Sequence, residues 1–178
     1  MIHLVLGGAR SGKSRFAVEQ VIKLSEITNL PVTFVATATA SDPEMAQRIA
    51  YHEAERPDHW RLAEVPLDLT LLLAEIELFP KQILLIDCLT LWLNNHLFEY
   101  PEQDYTILFS ELLDALETSK CDIYLVSNEV GLGIIPMGEV SRQFVDQAGW
   151  LNQALAARVD KVTFIAAGLP MTLKGTST

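Results

Sequence analysis

The chain has 178 residues, of which 49% are apolar and 20% charged, a composition typical of one globular domain spanning residues 1–178. Thirteen Lys and Arg against 23 Asp and Glu give a formal net charge of −10, which argues against a general nucleic-acid-binding surface. Because this field repels anions, an anionic ligand needs a local positive site. Two separated cysteines, no apolar run long enough to span a membrane and no leader-like start favour a reduced, cytoplasmic protein.

Short apolar runs alternate with amphipathic segments along the chain. The nearly continuous runs predict strands buried on both faces at residues 2–6, 32–36, 83–86, 123–126 and 162–166. The amphipathic segments predict helices at residues 14–25, 43–56, 67–78, 105–117 and 140–159. Residues 174–178 are small and polar and are expected to fray. Strands that alternate with helices indicate an α/β fold with a mainly parallel sheet and right-handed crossovers.

A glycine-rich motif lies between the first predicted strand and the first predicted helix. It matches the P-loop pattern G-x-x-x-x-G-K-[ST], and it reads Gly7-Gly8-Ala9-Arg10-Ser11-Gly12-Lys13-Ser14. Glycines let successive backbone N–H groups face an anion, and the following helix start adds its positive dipole end. Lys13 would reach the β- and γ-phosphates of a nucleotide, and the hydroxyl of Ser14 would bind Mg²⁺. The alternative is a glycine turn that matches the pattern by chance.

A P-loop requires an acidic residue at the end of a neighbouring strand. Asp87 follows four apolar residues, a Walker-B pattern, and would hold Mg²⁺ directly or through water. Many strands end in aspartate, so this pattern indicates a Mg²⁺ ligand only in combination with the P-loop. The nearby Cys88, Thr90 and Trp92 are expected to pack against the strand end rather than to react.

One histidine lies on a predicted helical face with an arginine. Met45, Ile49, His52 and Arg56 are spaced by four, three and four residues and so share one face of the predicted helix 43–56. Arginine would bind phosphate oxygens, and a neutral imidazole can attack phosphorus. The spacing alone fits a half-buried structural histidine better. Tyr51 and His59 are competing candidates for the reactive side chain, whereas His3, inside the first strand, is expected to be a packed residue.

Taken together, these motifs resemble one family over residues 4–174, the bifunctional adenosylcobinamide kinase / adenosylcobinamide-phosphate guanylyltransferases of cobalamin biosynthesis. Beside the P-loop, the resemblance is carried by these segments: Val35-Ala36-Thr37-Ala38, Asp42 to Met45, Arg48-Ile49, His52 to Pro57, Trp60 with Glu64, Asp87-Cys88-Leu89-Thr90-Leu91-Trp92 with Asn94, Ser127 to Pro136, and Arg142, Phe144, Asp146, Ala148-Gly149 and Asn152-Gln153. Some members have two adjacent histidines where this chain has Tyr51-His52, and many have Glu-Asn-Arg where Met137-Gly138-Glu139 follows Pro136.

The resemblance implies two reactions in one single P-loop NTPase domain of the RecA-like type. ATP or GTP phosphorylates the aminopropanol hydroxyl of adenosylcobinamide, and GMP then passes from GTP through a histidine–GMP intermediate to the cobinamide phosphate. It implies that His52 is the nucleophile, with Lys13 as the second catalytic residue. It also implies nucleotide contacts from residues 7–14, Ala36, Thr37, Ala38, Glu53, Ala54, Glu55, Arg56, Glu64 and Asp87, a Mg²⁺ ion on Ser14 and Asp87, a corrinoid substrate and a homotrimer.

Other functions compete with this interpretation. A simple small-molecule kinase would use Lys13, Ser14 and Asp87 and leave His52 structural. A GTP-dependent switch usually carries an Asn-Lys-x-Asp loop that reads guanine, and the sequence contains none. A nucleic-acid motor is disfavoured by the acidic charge.

Overall fold

The computed structural model describes residues 1–39, 56–78 and 81–176. Seven strands are present in these ranges: β1 Ile2–Gly7, β2 Val32–Ala36, β3 Arg61–Glu64, β4 Ile83–Asp87, β5 Asp122–Asn128, β6 Lys161–Ala166 and β7 Leu169–Lys174. The same ranges contain five helices: α1 Lys13–Thr28, α2 Leu69–Ile76, α3 Leu89–Glu99, α4 Tyr105–Thr118 and α5 Glu139–Arg158.

All seven strands form one sheet in the order β3-β2-β4-β5-β1-β6-β7. Strands β1 to β6 run parallel, and β7 pairs antiparallel with β6. The predicted α/β class with a mainly parallel sheet is therefore confirmed. Parallel pairing places the carboxyl ends of six strands along one edge, where open α/β sheets bind ligands.

Alternate residues of the central strands pack on opposite faces of the sheet. Leu4, Leu84 and Leu125 belong to a core shared with helices α2 to α5. Val5 and Leu85 belong to a second core shared with α1. Because both faces are covered, these strands are continuously apolar, as the sequence predicted.

Three described elements were not predicted, and one prediction at the chain end is wrong. Strand β3 has a mainly exposed Arg-Leu-Ala-Glu sequence and owes its conformation to pairing with β2. The sequence of helix α3 mixes apolar residues with asparagines, and strand β7 begins with Leu169-Pro170. Lys174 is not frayed: it ends β7, and its Nζ donates to the carbonyls of Ala156 and Ala157 at 2.9 and 2.8 Å.

Within these ranges, no helix is both long and apolar enough to cross a bilayer. The predicted helix 43–56 lies outside the described residues except for Arg56.

His3 is buried in β1, as predicted, and makes stability depend on pH. Its Nε2 lies 2.8 Å from Thr163 Oγ1, and burial, with the positive charge of Lys161, lowers the pKa of His3 to about 4. The unfolded chain binds this proton near pH 6.5, so the unfolded state takes up more protons between the two values. We therefore expect the free energy of unfolding to fall by about 3 kcal/mol as the pH drops through this window.

Urea titrations of the wild type and of His3→Gln across that pH range measure this contribution. The variant should lose the pH-dependent part, since glutamine does not titrate. Equal pH dependence in the two proteins would show that other groups cause the acid sensitivity.

Candidate active site

The P-loop lies at the carboxyl end of β1, an interior strand of the sheet. Gly7 ends the strand, and α1 begins at Lys13. Between them Arg10 and Gly12 have φ angles of 56° and 93°, in the left-handed region, and the N–H of Ser11 donates to the Gly8 carbonyl at 3.3 Å. Residues in the left-handed conformation, followed by the first turn of a helix, orient their backbone N–H groups toward one point. This arrangement forms an anion-binding concavity.

Lys13 is held inside this loop rather than in solvent. Its side chain is only 9% exposed, and Nζ donates to the Gly8 carbonyl at 3.2 Å. Burial lowers the pKa of Lys13, while the negative charge of Asp87 acts in the opposite direction. A buried ammonium beside one carboxylate is a site that a phosphate group would complete.

Asp87 ends β4, two strands away from β1, and is half-buried. The next residue, Cys88, is buried, and burial with the Asp87 charge raises the pKa of its thiol to about 11. The thiol is thus protonated and unreactive at neutral pH. Trp92 is also buried, so the expectation that these side chains pack near the strand end is confirmed for both.

Predicted nucleotide contacts form a row along the carboxyl edge. Ala36 of β2 is in register with Glu64 of β3 on one side and with Asp87 of β4 on the other. From β3 to β1 the row crosses four strand spacings, about 19 Å, which suits an extended nucleoside triphosphate. Thr37 and Ala38 follow directly after β2.

Thr37 supports this edge through its own hydrogen bonds. Its fully buried hydroxyl donates to the Cys88 carbonyl at 2.7 Å and accepts from the Cys88 N–H at 2.9 Å. Asn95 of α3 donates from Nδ2 to the carbonyls of Thr37 and Pro66 at 2.9 and 3.0 Å. The N–H of Thr37 also donates to the Asp87 carbonyl at 3.4 Å, so the hydroxyl, the carbonyl and the N–H of Thr37 all hold the edge of the sheet together. The sequence did not indicate this role of Asn95, because helix α3 was not predicted.

The turn between β6 and β7 contacts the P-loop, a contact that no sequence motif indicated. Ala167 and Gly168 form a two-residue connection with φ angles of 51° and 79°, as in a type I′ hairpin turn. The N–H of Gly168 donates to the Ser11 carbonyl at 2.9 Å. A Cβ on Gly12 would come within 3.5 Å of the Gly168 Cα, so the two backbones are in close approach.

We expect Gly168→Ala to weaken nucleotide binding. The left-handed φ is strained for alanine, so the Gly168 N–H would move away from Ser11. The KM for nucleotide should rise about 3- to 10-fold, as for the loss of roughly 1 kcal/mol. Steady-state kinetics give the KM, and urea denaturation gives the stability.

Gly175→Ala is the matched control for this variant. Gly175 also has a positive φ, 84°, but lies just beyond the other end of β7. Its substitution should lower stability and leave the nucleotide KM unchanged. Equal increases in KM for both variants would contradict a specific role of the turn.

His59, a competing candidate for the reactive side chain, lies at the opposite edge of the sheet from the P-loop. It lines a cavity of about 350 Å³ with Asn29 and Pro31, beside the amino end of β2. The guanidinium of Arg56 lies over the Phe34 ring, 4.9 Å from its centroid. The other predicted residues of this segment lie outside the described ranges: Met45, Arg48, Ile49, Tyr51, His52, Glu53, Ala54 and Glu55.

The residues at the P-loop fit a divalent cation and a phosphate. Ser14, in the first turn of α1, and Asp87 supply hydroxyl and carboxylate oxygens, the ligands that Mg²⁺ prefers. The hydroxyl of Ser11 is buried and has no hydrogen-bond partner among the described residues. An orphaned buried hydroxyl inside an anion cradle fits a site completed by a ligand.

Comparisons with known proteins find a family model and relatives that match nearly the whole chain. Residues 3–173 match the family model described as cobinamide kinase / cobinamide phosphate guanyltransferase. The chain is 51% identical over 175 residues to the bifunctional adenosylcobalamin biosynthesis protein CobP of Pseudomonas aeruginosa, with 98% of each chain covered. It is 36% identical over 187 residues to the protein CobU of Escherichia coli, covering 98% of this chain and all of the relative.

A solved structure supports the fold alone. It is an ATPase domain that superposes with a TM-score of 0.52 at 14% identity, covering 92% of this chain and 68% of that chain. This likeness confirms the P-loop NTPase fold of RecA-like type.

Proposed function

The chain belongs to the cobinamide kinase / cobinamide phosphate guanyltransferase family, and we propose that it carries out both reactions in cobalamin biosynthesis. Adenosylcobinamide and a nucleoside triphosphate are the substrates of the first step, and adenosylcobinamide phosphate and GTP those of the second. One domain, residues 1–178, would perform both. The observation that carries the proposal is a formed P-loop with a buried Lys13 beside Asp87, in a chain that matches the family over residues 3–173.

In the kinase step, the P-loop holds the nucleotide phosphates. Backbone N–H groups of residues 8–14 and the Lys13 ammonium neutralise charge that develops on the transferred γ-phosphate. Ser14 and Asp87 would hold Mg²⁺, which would supply positive charge to offset the charge of the phosphates. The cobinamide hydroxyl attacks the γ-phosphorus and the nucleoside diphosphate leaves.

In the guanylyltransferase step, we propose His52 as the nucleophile. The neutral imidazole attacks the α-phosphorus of GTP, pyrophosphate leaves, and the cobinamide phosphate then displaces the histidine. Among the residues that the structure describes, Arg56 is the nearest to His52 in sequence. Its guanidinium could bind phosphate oxygens. The position of His59 at the other edge of the sheet supports His52 over His59. Glu53, Ala54, Glu55 and Glu64 would complete the nucleotide contacts.

The two steps act on different phosphorus atoms of the nucleotide. We infer that the nucleotide binds in two poses or that the segment carrying His52 moves between steps. A structure with bound GTP that placed His52 far from the α-phosphate, with no hinge between them, would refute this.

Incubation of the protein with α-³²P-GTP and Mg²⁺ tests the proposed function. We expect an acid-labile, alkali-stable label on the protein, which is typical of a phosphoramidate, and its transfer to adenosylcobinamide phosphate. A folded protein that binds GTP but takes up no label would be a kinase or a switch. Incubation with γ-³²P-ATP or γ-³²P-GTP and adenosylcobinamide tests the kinase step and its donor.

We also propose a cytoplasmic homotrimer. Exposed apolar side chains on the outermost strand, Leu169, Met171 and Leu173, support self-association. Sedimentation equilibrium should give three times the chain mass of 19.8 kDa. A monomeric mass at micromolar concentration would refute the trimer.

A further inference from the structure

The backbone at the end of strand β5 is fixed by three hydrogen bonds, two to side chains and one to the P-loop backbone. The Asn128 N–H donates to Thr90 Oγ1 at 2.7 Å, and the Asn128 carbonyl accepts from Asn152 Nδ2 at 3.1 Å. The N–H of the next residue, Glu129, donates to the Gly7 carbonyl at 3.1 Å. These bonds reach helices α3 and α5 and the first residue of the P-loop. A backbone fixed this way holds its side chains in place, as reacting groups require.

Strand β5 lies between the two strands that carry the phosphate-binding residues. On one side is β1, where Gly7 is in register with Asn128, and on the other is β4, which ends at Asp87. The residue that follows β5 therefore lies at the carboxyl edge between the P-loop and the Asp87 carboxylate. The γ-phosphate of a bound nucleotide would lie beside both.

The side chain of Glu129 is a half-buried carboxylate with one oxygen already positioned. Its Oε1 accepts the Gly131 N–H at 2.7 Å, which fixes the direction of the carboxylate. Within residues 1–39, 56–78 and 81–176, no cation forms a salt bridge with it. The carboxylate is therefore positioned within the loop, where it could accept a hydrogen bond from a substrate hydroxyl.

The segment after Glu129 suits a large acceptor molecule. Residues 131–135 are exposed, and Ile134 is 97% exposed. An apolar surface beside an acceptor carboxylate fits a substrate that joins a bulky amphipathic body to an alcohol arm.

We propose that Glu129 is the general base of the kinase step, an assignment that rests on the proposed function. The substrate hydroxyl oxygen forms a bond to the γ-phosphorus while the bond from the γ-phosphorus to the β,γ-bridging oxygen breaks. The hydroxyl proton passes to the Glu129 carboxylate and then to solvent, and the nucleoside diphosphate leaves with the electron pair of the broken bond.

The guanylyltransferase step needs no such base. Its first nucleophile is a neutral imidazole, and its second is a phosphate that is already ionised at neutral pH. Glu129 should therefore act in one of the two reactions only. This asymmetry separates a chemical role from a structural one, because a damaged P-loop would slow both.

Glu129→Gln tests the proposal, since its amide oxygen can still accept the Gly131 N–H. With saturating nucleotide and adenosylcobinamide, the kinase kcat should fall about a hundredfold or more. Labelling by α-³²P-GTP and transfer to adenosylcobinamide phosphate should stay within about twofold of wild type. Glu129→Asp, which keeps a carboxylate, should recover part of the kinase rate.

Glu139→Gln is the matched control, with the same charge change at the start of α5, where Glu139 is exposed. It should leave both rates unchanged. An equal loss of both reactions in Glu129→Gln would show a structural role, and an unchanged kinase rate would exclude the base. If the wild type shows neither reaction, the proposed function fails instead.

Discussion

Replacing Lys13 with methionine should lower the rates of both reactions by about a hundredfold to a thousandfold. The ammonium of Lys13 is buried inside the P-loop. Because the local dielectric there is low, one positive charge interacts with phosphate charges more strongly than it would in water. Both steps develop charge on nucleotide phosphates, so both lose this contribution. Methionine is similar in length and keeps the volume of the site filled.

The same substitution should not destabilise the fold. Burial lowers the pKa of Lys13, which means that the folded protein holds the charged form at a cost. A neutral side chain removes that cost, and the half-buried Asp87 keeps its contact with water, so the urea midpoint of Lys13→Met should equal or exceed that of the wild type. This combination would identify a side chain that is retained for function at the expense of stability.

Lys23→Met is the matched control on the same helix. Lys23 is exposed on α1, so the charge change is identical while the P-loop is untouched. Its rates should equal those of the wild type. If the two variants lose similar activity, the net charge of the protein rather than the local ammonium would be responsible.

His52→Ala should abolish guanylyl transfer while the kinase step continues. Removal of a covalent nucleophile leaves no route through the histidine–GMP intermediate, so the transfer rate should drop by about four orders of magnitude or more. The α-³²P-GTP label should disappear from the protein. Phosphorylation of adenosylcobinamide should remain within about threefold, since the P-loop and Asp87 are unchanged.

His59→Ala is the control for this prediction, because His59 is exposed and lies at the edge of the sheet opposite the P-loop. It should label like the wild type. A label that persisted in His52→Ala would place the nucleophile elsewhere, and Tyr51 would be the first side chain to replace.

Sequence reasoning located the parts of the site whose signals are local. The P-loop joins adjacent elements, and Asp87 directly follows a run of apolar residues. Both can therefore be predicted from a few neighbouring residues. The alternation of strands and helices predicted a mainly parallel sheet, but it did not predict the order of the strands. The position of His59 away from the P-loop required the fold.

Contacts between residues distant in the chain were not predictable in this way. The bond from Gly168 to Ser11 joins the end of β6 to the P-loop, and Ala-Gly is a weak signal for a tight hairpin compared with Asn-Gly. Asn95 supports the β2 edge from a helix whose sequence has no clear periodicity. Such contacts depend on register and helix packing, which only the three-dimensional structure supplies.

The β6–β7 turn also bears on when the nascent chain can first hold a nucleotide. The P-loop emerges from the ribosome early, but the donor for its Ser11 carbonyl, at Gly168, is synthesised long afterwards. The edge strand β7, which follows the turn and pairs with β6, is synthesised later still. Nucleotide binding at full affinity therefore depends on the completed sheet, including its outermost strand, as well as on the segment that carries the motif.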